Sequence, residues 1–186
     1  MSFSNIYFIL HKPQLSENIG ACARALKNFN FRNLILINAK VSYPNDKVLA
    51  TSVGAKDVIK KSKTFEKLEP ALKKIDYLIA TTSRFRNKNI KHINIKDLSK
   101  IDFNKNIGFL FGSEASGLSN EEISYANCVL QIPTNPKFKS LNLSHSLIII
   151  CQLVASILRS KTSKYSKSNK IKIASKADIQ VMVNFF

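Results

Sequence analysis

Short apolar runs of strand type alternate with helical patterns along most of this chain, and small polar residues stand directly after several of those runs. Residues 6–10, 34–37, 77–80, 107–111 and 129–132 read as strands. Helical patterns occupy residues 18–29, 66–75 (with Pro70 in the first turns), 121–126 and 144–159. A mixed region, 46–59, holds Gly54 at an expected turn. This alternation calls for crossover connections, so the expected fold is α/β: a mostly parallel sheet with helices on both faces. In such sheets ligands sit beyond the carboxyl ends of the strands. Thr81-Thr82-Ser83, residues 112–117 and residues 133–142 all follow strands directly, which makes them the first candidates for a site.

Within the first helix, Ile19, Cys22, Ala23, Leu26 and Phe29 form the expected apolar stripe, while Ala21, Ala25, Lys27 and Asn28 suit its surface. Ser119 and Asn120 are cap candidates for the 121–126 helix. The 144–159 helix is apolar on most faces and is expected to be buried. The longest apolar stretch, 147–158, is short of the ~20 residues that span a bilayer and is broken by Gln152 and Ser156, so no membrane span is expected. The N-terminus carries no basic leader, and the three cysteines, Cys22, Cys128 and Cys151, lack disulfide or zinc spacing. These features predict a soluble cytoplasmic protein without a bound metal. His11, His92 and His145 show no spacing that suggests a metal site or a triad and are read as structural.

The formal net charge of the 186 residues is +17, and a polyanion would relieve the self-repulsion. Nucleic acid is the commonest partner of that kind, and an anionic membrane surface is the other. A Lys-, Asn- and Ile-rich composition is also what codon bias produces. Lysines recur among serines and asparagines over 161–176 without acidic residues, which reads as a flexible basic linker. Residues 177–186 begin a helical pattern and stop short of the ~12–15 residues that an isolated helix needs.

Three segments carry the chemistry. Gly112-Ser113-Glu114-Ala115-Ser116-Gly117-Leu118 joins a strand to a helix, and its glycines permit positive φ or close backbone approach. It is neither a dinucleotide fingerprint nor a P-loop. The loop from Pro133 to Ser144 is stiffened by two prolines and offers Ser140, Asn142 and Ser144 ahead of a helix N-terminus, as caps or as ligand contacts. Asn18-Ile19-Gly20-Ala21-Cys22-Ala23-Arg24 surrounds one arginine with small residues that let another backbone or an RNA strand come close. Arg24 suits either a surface ion pair or a phosphate clamp.

Taken in order, these segments resemble the three motifs of the SPOUT superfamily, in its TrmH/TrmJ-type RNA ribose 2′-O-methyltransferases. Residues 54–59 and Thr81-Thr82-Ser83-Arg84 resemble the intervening segments, and the likeness covers about residues 4–160. It implies a methyltransferase domain over 1–160, the linker over 161–176, and over 177–186 the start of an incomplete helical extension used for tRNA binding. It also implies a C-terminal trefoil knot, an exception to unknotted topology. S-adenosylmethionine would lie bent in that knot, against residues matching Thr81, Thr82, Ser83, Gly112, Ile132, Lys139, Ser140 and Leu141. Catalysis would involve Arg24, Asn18, Glu114, Ser140 and Asn142 in a homodimer whose active site forms at the subunit interface. In the family, the residue matching Arg24 is proposed to assist deprotonation. A guanidinium keeps its proton in proteins, so stabilising an alkoxide or binding a phosphate is the alternative. Glu114 would orient Arg24 or a backbone amide, or simply sit as a charge at a helix N-terminus.

Ser113 and Ala80 depart from the family's commonest residues without removing a reacting group. The segment 111–123 with Asn135-Pro136 and Phe138 looks most like the enzymes that modify position 32 of the tRNA anticodon loop. Wobble-position and rRNA ribose methyltransferases are the near alternatives, and a non-catalytic RNA-binding protein is the rival of another class. A membrane-surface protein, which would need an amphipathic helix with a lysine face, is disfavoured because the 144–159 helix is too uniformly apolar. Dense lysine and sparse arginine predict recognition of RNA shape more than of sequence.

Overall fold

The computed structural model describes residues 3–84 and 90–162. Among these, seven strands form one sheet: β1 (Ile6–His11), β2 (Asn33–Ile37), β3 (Lys63–Phe65), β4 (Tyr77–Thr81), β5 (His92–Ile93), β6 (Ile107–Phe111) and β7 (Cys128–Leu130). Their order is β3-β2-β1-β6-β4-β7-β5, and every pairing is parallel. Six helices connect them: α1 (Ser16–Asn28), α2 (Asp46–Thr51), α3 (Lys56–Lys61), α4 (Leu68–Leu72), α5 (Asn120–Ser124) and α6 (Leu143–Thr162), with a 3₁₀ helix at Ile95–Lys100.

Successive side chains of a strand point to opposite faces, and here both faces are apolar. Phe8 and Leu10 of β1, with Phe109 and Phe111 of β6, enter one core layer beside Ile19, Cys22 and Leu26 of α1 and Leu147, Ile150 and Val154 of α6. Phe8 lies at ring-centroid distances of 5.1 Å from Phe31 and 5.6 Å from Phe109. Such pairs add about 0.5–1.5 kcal/mol each beyond the area they bury. Ile9, Leu78, Leu110 and Val129 face the other layer, against Leu68 and Ala71 of α4 and Ile123 of α5.

Several expectations change. Ala25 is buried at 3% exposure, because α1 packs against both α2 and α6 and so buries a wider arc than one stripe. Gly20 serves that contact: a Cβ there would lie 2.5 Å from the Val48 carbonyl oxygen, so the backbone that comes close is α2 of the same chain. The mixed region resolves into α2 and α3, with Gly54 at φ +76° between them. The expected 66–75 helix shrinks to the five residues of α4, because Lys63–Phe65 pairs with β2 immediately upstream. The strand expected over 129–132 ends at Leu130.

Helix α6 is longer than expected, and it is buried along one side only. Leu147, Ile150, Cys151 and Val154 are fully covered, whereas Ile148 is 37% exposed. The 18 residues Leu143–Ser160 are apolar enough to cross a membrane by length and composition, with a mean hydropathy of 1.5. Their covered side packs on α1 as a core element. The first two residues of the linker expected over 161–176 belong to α6; the rest of it, 163–176, and the segment 177–186 lie outside the described residues.

Candidate active site

The carboxyl ends of β4, β6 and β7 open into one cleft of about 120 Å³, open on one side. Thr81 at the end of β4 and Thr82 and Ser83 just after it contribute, as do Gly112 to Leu118 after β6, and Ile132, Ser140 and Leu141 after β7. Seven of the eight expected cofactor residues therefore meet on this surface. Lys139 is exposed and is not on it; its carbonyl accepts from the Thr134 hydroxyl at 3.4 Å. Phe111, Arg84 and Ser146 join the lining without having been expected there. A second cavity, of about 320 Å³, is lined by Tyr77, His92, Ile93, Ile101 and neighbouring charges, and shares no residue with the motifs.

The 112–118 loop is held by its own backbone. Gly117 sits at φ +68°, its amide donates to the Ser113 carbonyl at 2.9 Å, and the Ser113 and Ser116 hydroxyls meet at 2.8 Å. Gly112 is needed for close approach: a Cβ would stand 2.2 Å from the Gly117 carbonyl carbon and 2.3 Å from the Leu118 nitrogen. Thr81 donates its hydroxyl to the Leu110 carbonyl at 3.0 Å, fixing the end of β4 on β6.

Three expected catalytic residues form one polar chain. Asn18 Nδ2 donates to Glu114 Oε1 at 2.9 Å, and Asn142 Nδ2 donates to Asn18 Oδ1 at 2.9 Å. Asn142 Oδ1 accepts the Ser144 amide at 2.8 Å and the His145 amide at 3.3 Å, so it caps the start of α6. Helix α1 has no side-chain cap of its own. Glu114 serves instead, accepting the Gln14 amide at 2.8 Å and the Leu15 amide at 3.3 Å, where the helix dipole favours an anion. Gln14 completes the tie by accepting the Ala115 amide at 3.2 Å. Nothing in its local sequence marked Gln14; its role comes from a segment about a hundred residues away.

Arg24 stands apart. It is exposed on α1, does not line the cleft, and has no hydrogen-bond or ion-pair partner among the described residues. Glu114 therefore orients the entry to α1 and not Arg24.

A further cluster escaped the sequence reading. Buried His11, at the end of β1, places Nδ1 3.1 Å from Glu122 Oε1, and Lys12 Nζ donates to the same oxygen at 2.8 Å. Glu122 also accepts the Ser119 amide at 2.8 Å, while the Ser119 hydroxyl accepts the Glu122 amide, a reciprocal cap for α5. Burial lowers the His11 imidazole below its ordinary value, outweighing the opposing pull of Glu122. For Glu122, burial pushes upward, but the Lys12 and Ser119 hydrogen bonds and the charges of His11 and Lys12 hold the carboxyl below its usual range. Among the described residues no three His, Cys, Asp or Glu gather as a metal site, and burial raises all three free thiols.

A parallel α/β sheet that gathers three small-residue loops into one cleft at its carboxyl edge has the architecture of a cofactor-binding enzyme domain. The chain belongs to the SpoU rRNA methylase family, whose sequence profile matches residues 5–152. Membership makes it an RNA methyltransferase, a class whose methyl donor is S-adenosylmethionine. Over 186 residues it is 32% identical to the tRNA (cytidine-2′-O-)-methyltransferase TrmJ of Methanocaldococcus jannaschii, with 97% of this chain and 79% of that one covered. It is also 32% identical over 150 residues to the tRNA (cytidine/uridine-2′-O-)-methyltransferase TrmJ of Photorhabdus laumondii, with 78% of this chain and 62% of that one covered. The crystal structure of TrmJ from Z. mobilis superposes with a TM-score of 0.75 at 29% identity, over 80% of this chain and 67% of the other. The resemblance carried by the three motifs thus holds at the level of family.

Proposed function

We propose that this chain methylates a ribose 2′-hydroxyl of tRNA, at position 32 of the anticodon loop. The observation that carries the reading is the meeting of three loops in one cleft, braced by the Glu114–Asn18–Asn142 chain. The names of the TrmJ relatives supply the substrate class.

The donor set fits S-adenosylmethionine. Ile132, Leu141 and Leu118 offer an apolar wall for an adenine, and the hydroxyls of Thr82, Ser83 and Ser140 lie among backbone amides and carbonyls. Glu114 and Arg84 bring both signs of charge to the same rim, suiting a zwitterionic amino-acid end. When bound, the cofactor supplies an electrophilic methyl group on a sulfonium. The protein's part is to hold the sugar oxygen in line and to exclude water. Ser140, on the cleft rim, is placed to hydrogen-bond the ribose. Asn18, Glu114 and Asn142 are positioning residues that keep the loops at fixed separation.

Arg24 acts by binding the neighbouring phosphate or by stabilising the developing alkoxide. It does not line the cleft of its own chain, so we place it in the site of a second copy. Leu15, 50% exposed beside Glu114, and Ile148 on α6 support such an apolar interface. The knot belongs to the same reading. Strand β7 lies next to the sheet edge, yet α6 packs against α1, so the chain after Leu130 must travel back across the cleft loops. The basic segment read as a linker over 161–176 and the extension over 177–186 are assigned to tRNA binding, and the buried free thiols suit a cytoplasmic enzyme.

The test is incubation with unmodified tRNA and labelled methyl donor, followed by mass-spectrometric mapping of the product. Label on the ribose of nucleotide 32 is expected. Label at the wobble ribose or only on rRNA would replace the site assignment, and RNA binding without transfer would end the enzymatic reading.

A further inference from the structure

Phe138 is the most exposed large apolar side chain among the described residues, at 75%. An aromatic ring held in water costs free energy unless something else covers it in the working state. The loop that carries it is built rather than loose. Pro133 and Pro136 fix two backbone torsions. The Asn135 side chain accepts the Lys137 amide at 2.9 Å, and the Phe138 amide donates to the Asn135 carbonyl at 2.9 Å. Asn135 and Phe138 thereby form an antiparallel bridge, and the Thr134 hydroxyl ties down the Lys139 carbonyl. The ring projects from the tip of a stiff hairpin between two exposed lysines, Lys137 and Lys139. Two residues further on, Ser140 and Leu141 line the cleft, so Phe138 lies within ~7 Å of chain from the reaction site.

A rigid aromatic flanked by cations has the chemistry of a stacking platform for an unpaired nucleobase, with the lysines neutralising the phosphates on either side. Position and chemistry together rest on the reading of the cleft as a ribose methylation site. We infer that Phe138 stacks on a base adjacent to the target nucleotide, and that Lys137 and Lys139 hold the phosphates flanking that base. The hairpin thus sets which ribose of a single-stranded loop reaches the cleft. It also explains Lys139: its place is with the RNA backbone and not with the cofactor.

The experiment uses the full chain and unmodified tRNA, comparing Phe138→Ala, Phe138→Trp and the pair Lys137→Ala/Lys139→Ala with the unaltered protein. Affinity is read by fluorescence anisotropy across a salt series, cofactor affinity by calorimetry, and subunit number by light scattering. Stacking is worth ~1–3 kcal/mol per base, so Phe138→Ala is expected to weaken tRNA binding roughly five- to 140-fold at every salt concentration. Phe138→Trp should restore it. The lysine pair should instead reduce the salt slope. Cofactor affinity and subunit number should stay unchanged throughout. Unaltered tRNA affinity in Phe138→Ala would overturn the inference while leaving the methylation reading intact. Dissociation of that variant into single subunits would overturn it too, by making the ring a contact between copies. Failure of the unaltered protein to bind tRNA would remove both.

Discussion

Replacing Gly112 by alanine tests the cleft most directly, because the structure sets the size of the conflict. The added methyl would sit 2.2 Å from the Gly117 carbonyl carbon, 2.3 Å from the Leu118 nitrogen and 2.6 Å from the Gly117 oxygen. Carbon atoms touch at ~3.5 Å, so the backbone strand opposite must retreat by more than about 1 Å. Those atoms are main chain and have no rotamer to change. The Gly117 amide also donates to Ser113, so retreat breaks the hydrogen bond that closes the loop. Overpacking costs ~1–3 kcal/mol and the broken bond ~1 kcal/mol more. Gly117→Ala is the control. No atom lies within 4 Å of its Cβ, and the penalty is that of a left-handed residue, ~1–2 kcal/mol. Urea unfolding and calorimetric titration with S-adenosylmethionine read both quantities. Gly112→Ala should lose stability and at least tenfold in cofactor affinity, whereas Gly117→Ala should lose mainly stability. Equal cofactor affinity in Gly112→Ala and the unaltered chain would show that the loop does not shape the binding surface.

Arg24→Ala should lower methyl transfer on the order of 100-fold or more, the scale of a lost charge stabiliser, and leave cofactor affinity unchanged in calorimetry. Loss of both together would mean the side chain is structural. Asn18→Ala removes a donor from Glu114 and the acceptor of Asn142, and should cost ~1–3 kcal/mol in urea unfolding with a matching loss of cofactor binding. Stability should also fall on acidification. His11 is held neutral below its ordinary value of 6.5, so the unfolded chain takes up the proton first, and its contribution is present above 6.5 and declines below it. Glu122, also lowered, adds a second decline further into acid. Urea midpoints measured from about pH 7.5 down to about pH 5 should drop, and His11→Asn should flatten the upper part of that drop; an unchanged profile in His11→Asn would exclude the imidazole as its source.

Much of this architecture was legible because its signals are local. Strands β1, β2, β4 and β6 are continuous apolar runs, as a sheet covered on both faces demands, and the loops after them announce themselves by small polar residues. β3 and β5 were not legible: at three and two residues they are too short for periodicity, and pairing with a neighbour alone makes them strands. Glu114 and Asn18 were found as motif residues, and a backbone amide was among the partners expected for Glu114, but Gln14 and Leu15 as its donors were not, since they lie about a hundred residues away in sequence and only the tertiary fold brings them to it. The same holds for His11 with Glu122. Arg24 shows the reverse case, a residue named by its motif whose own fold keeps it away from the motif's cleft.

The polar chain from Glu114 through Asn18 to Asn142 joins segments that leave the ribosome at very different times. A nascent chain that ends before Asn142 can pair its first strands and form α1, yet its early and middle loops lack their last brace and the third wall of the cleft is missing. The cleft is therefore complete only in a chain that extends into α6, whose capping residue Asn142 supplies the last link of the brace.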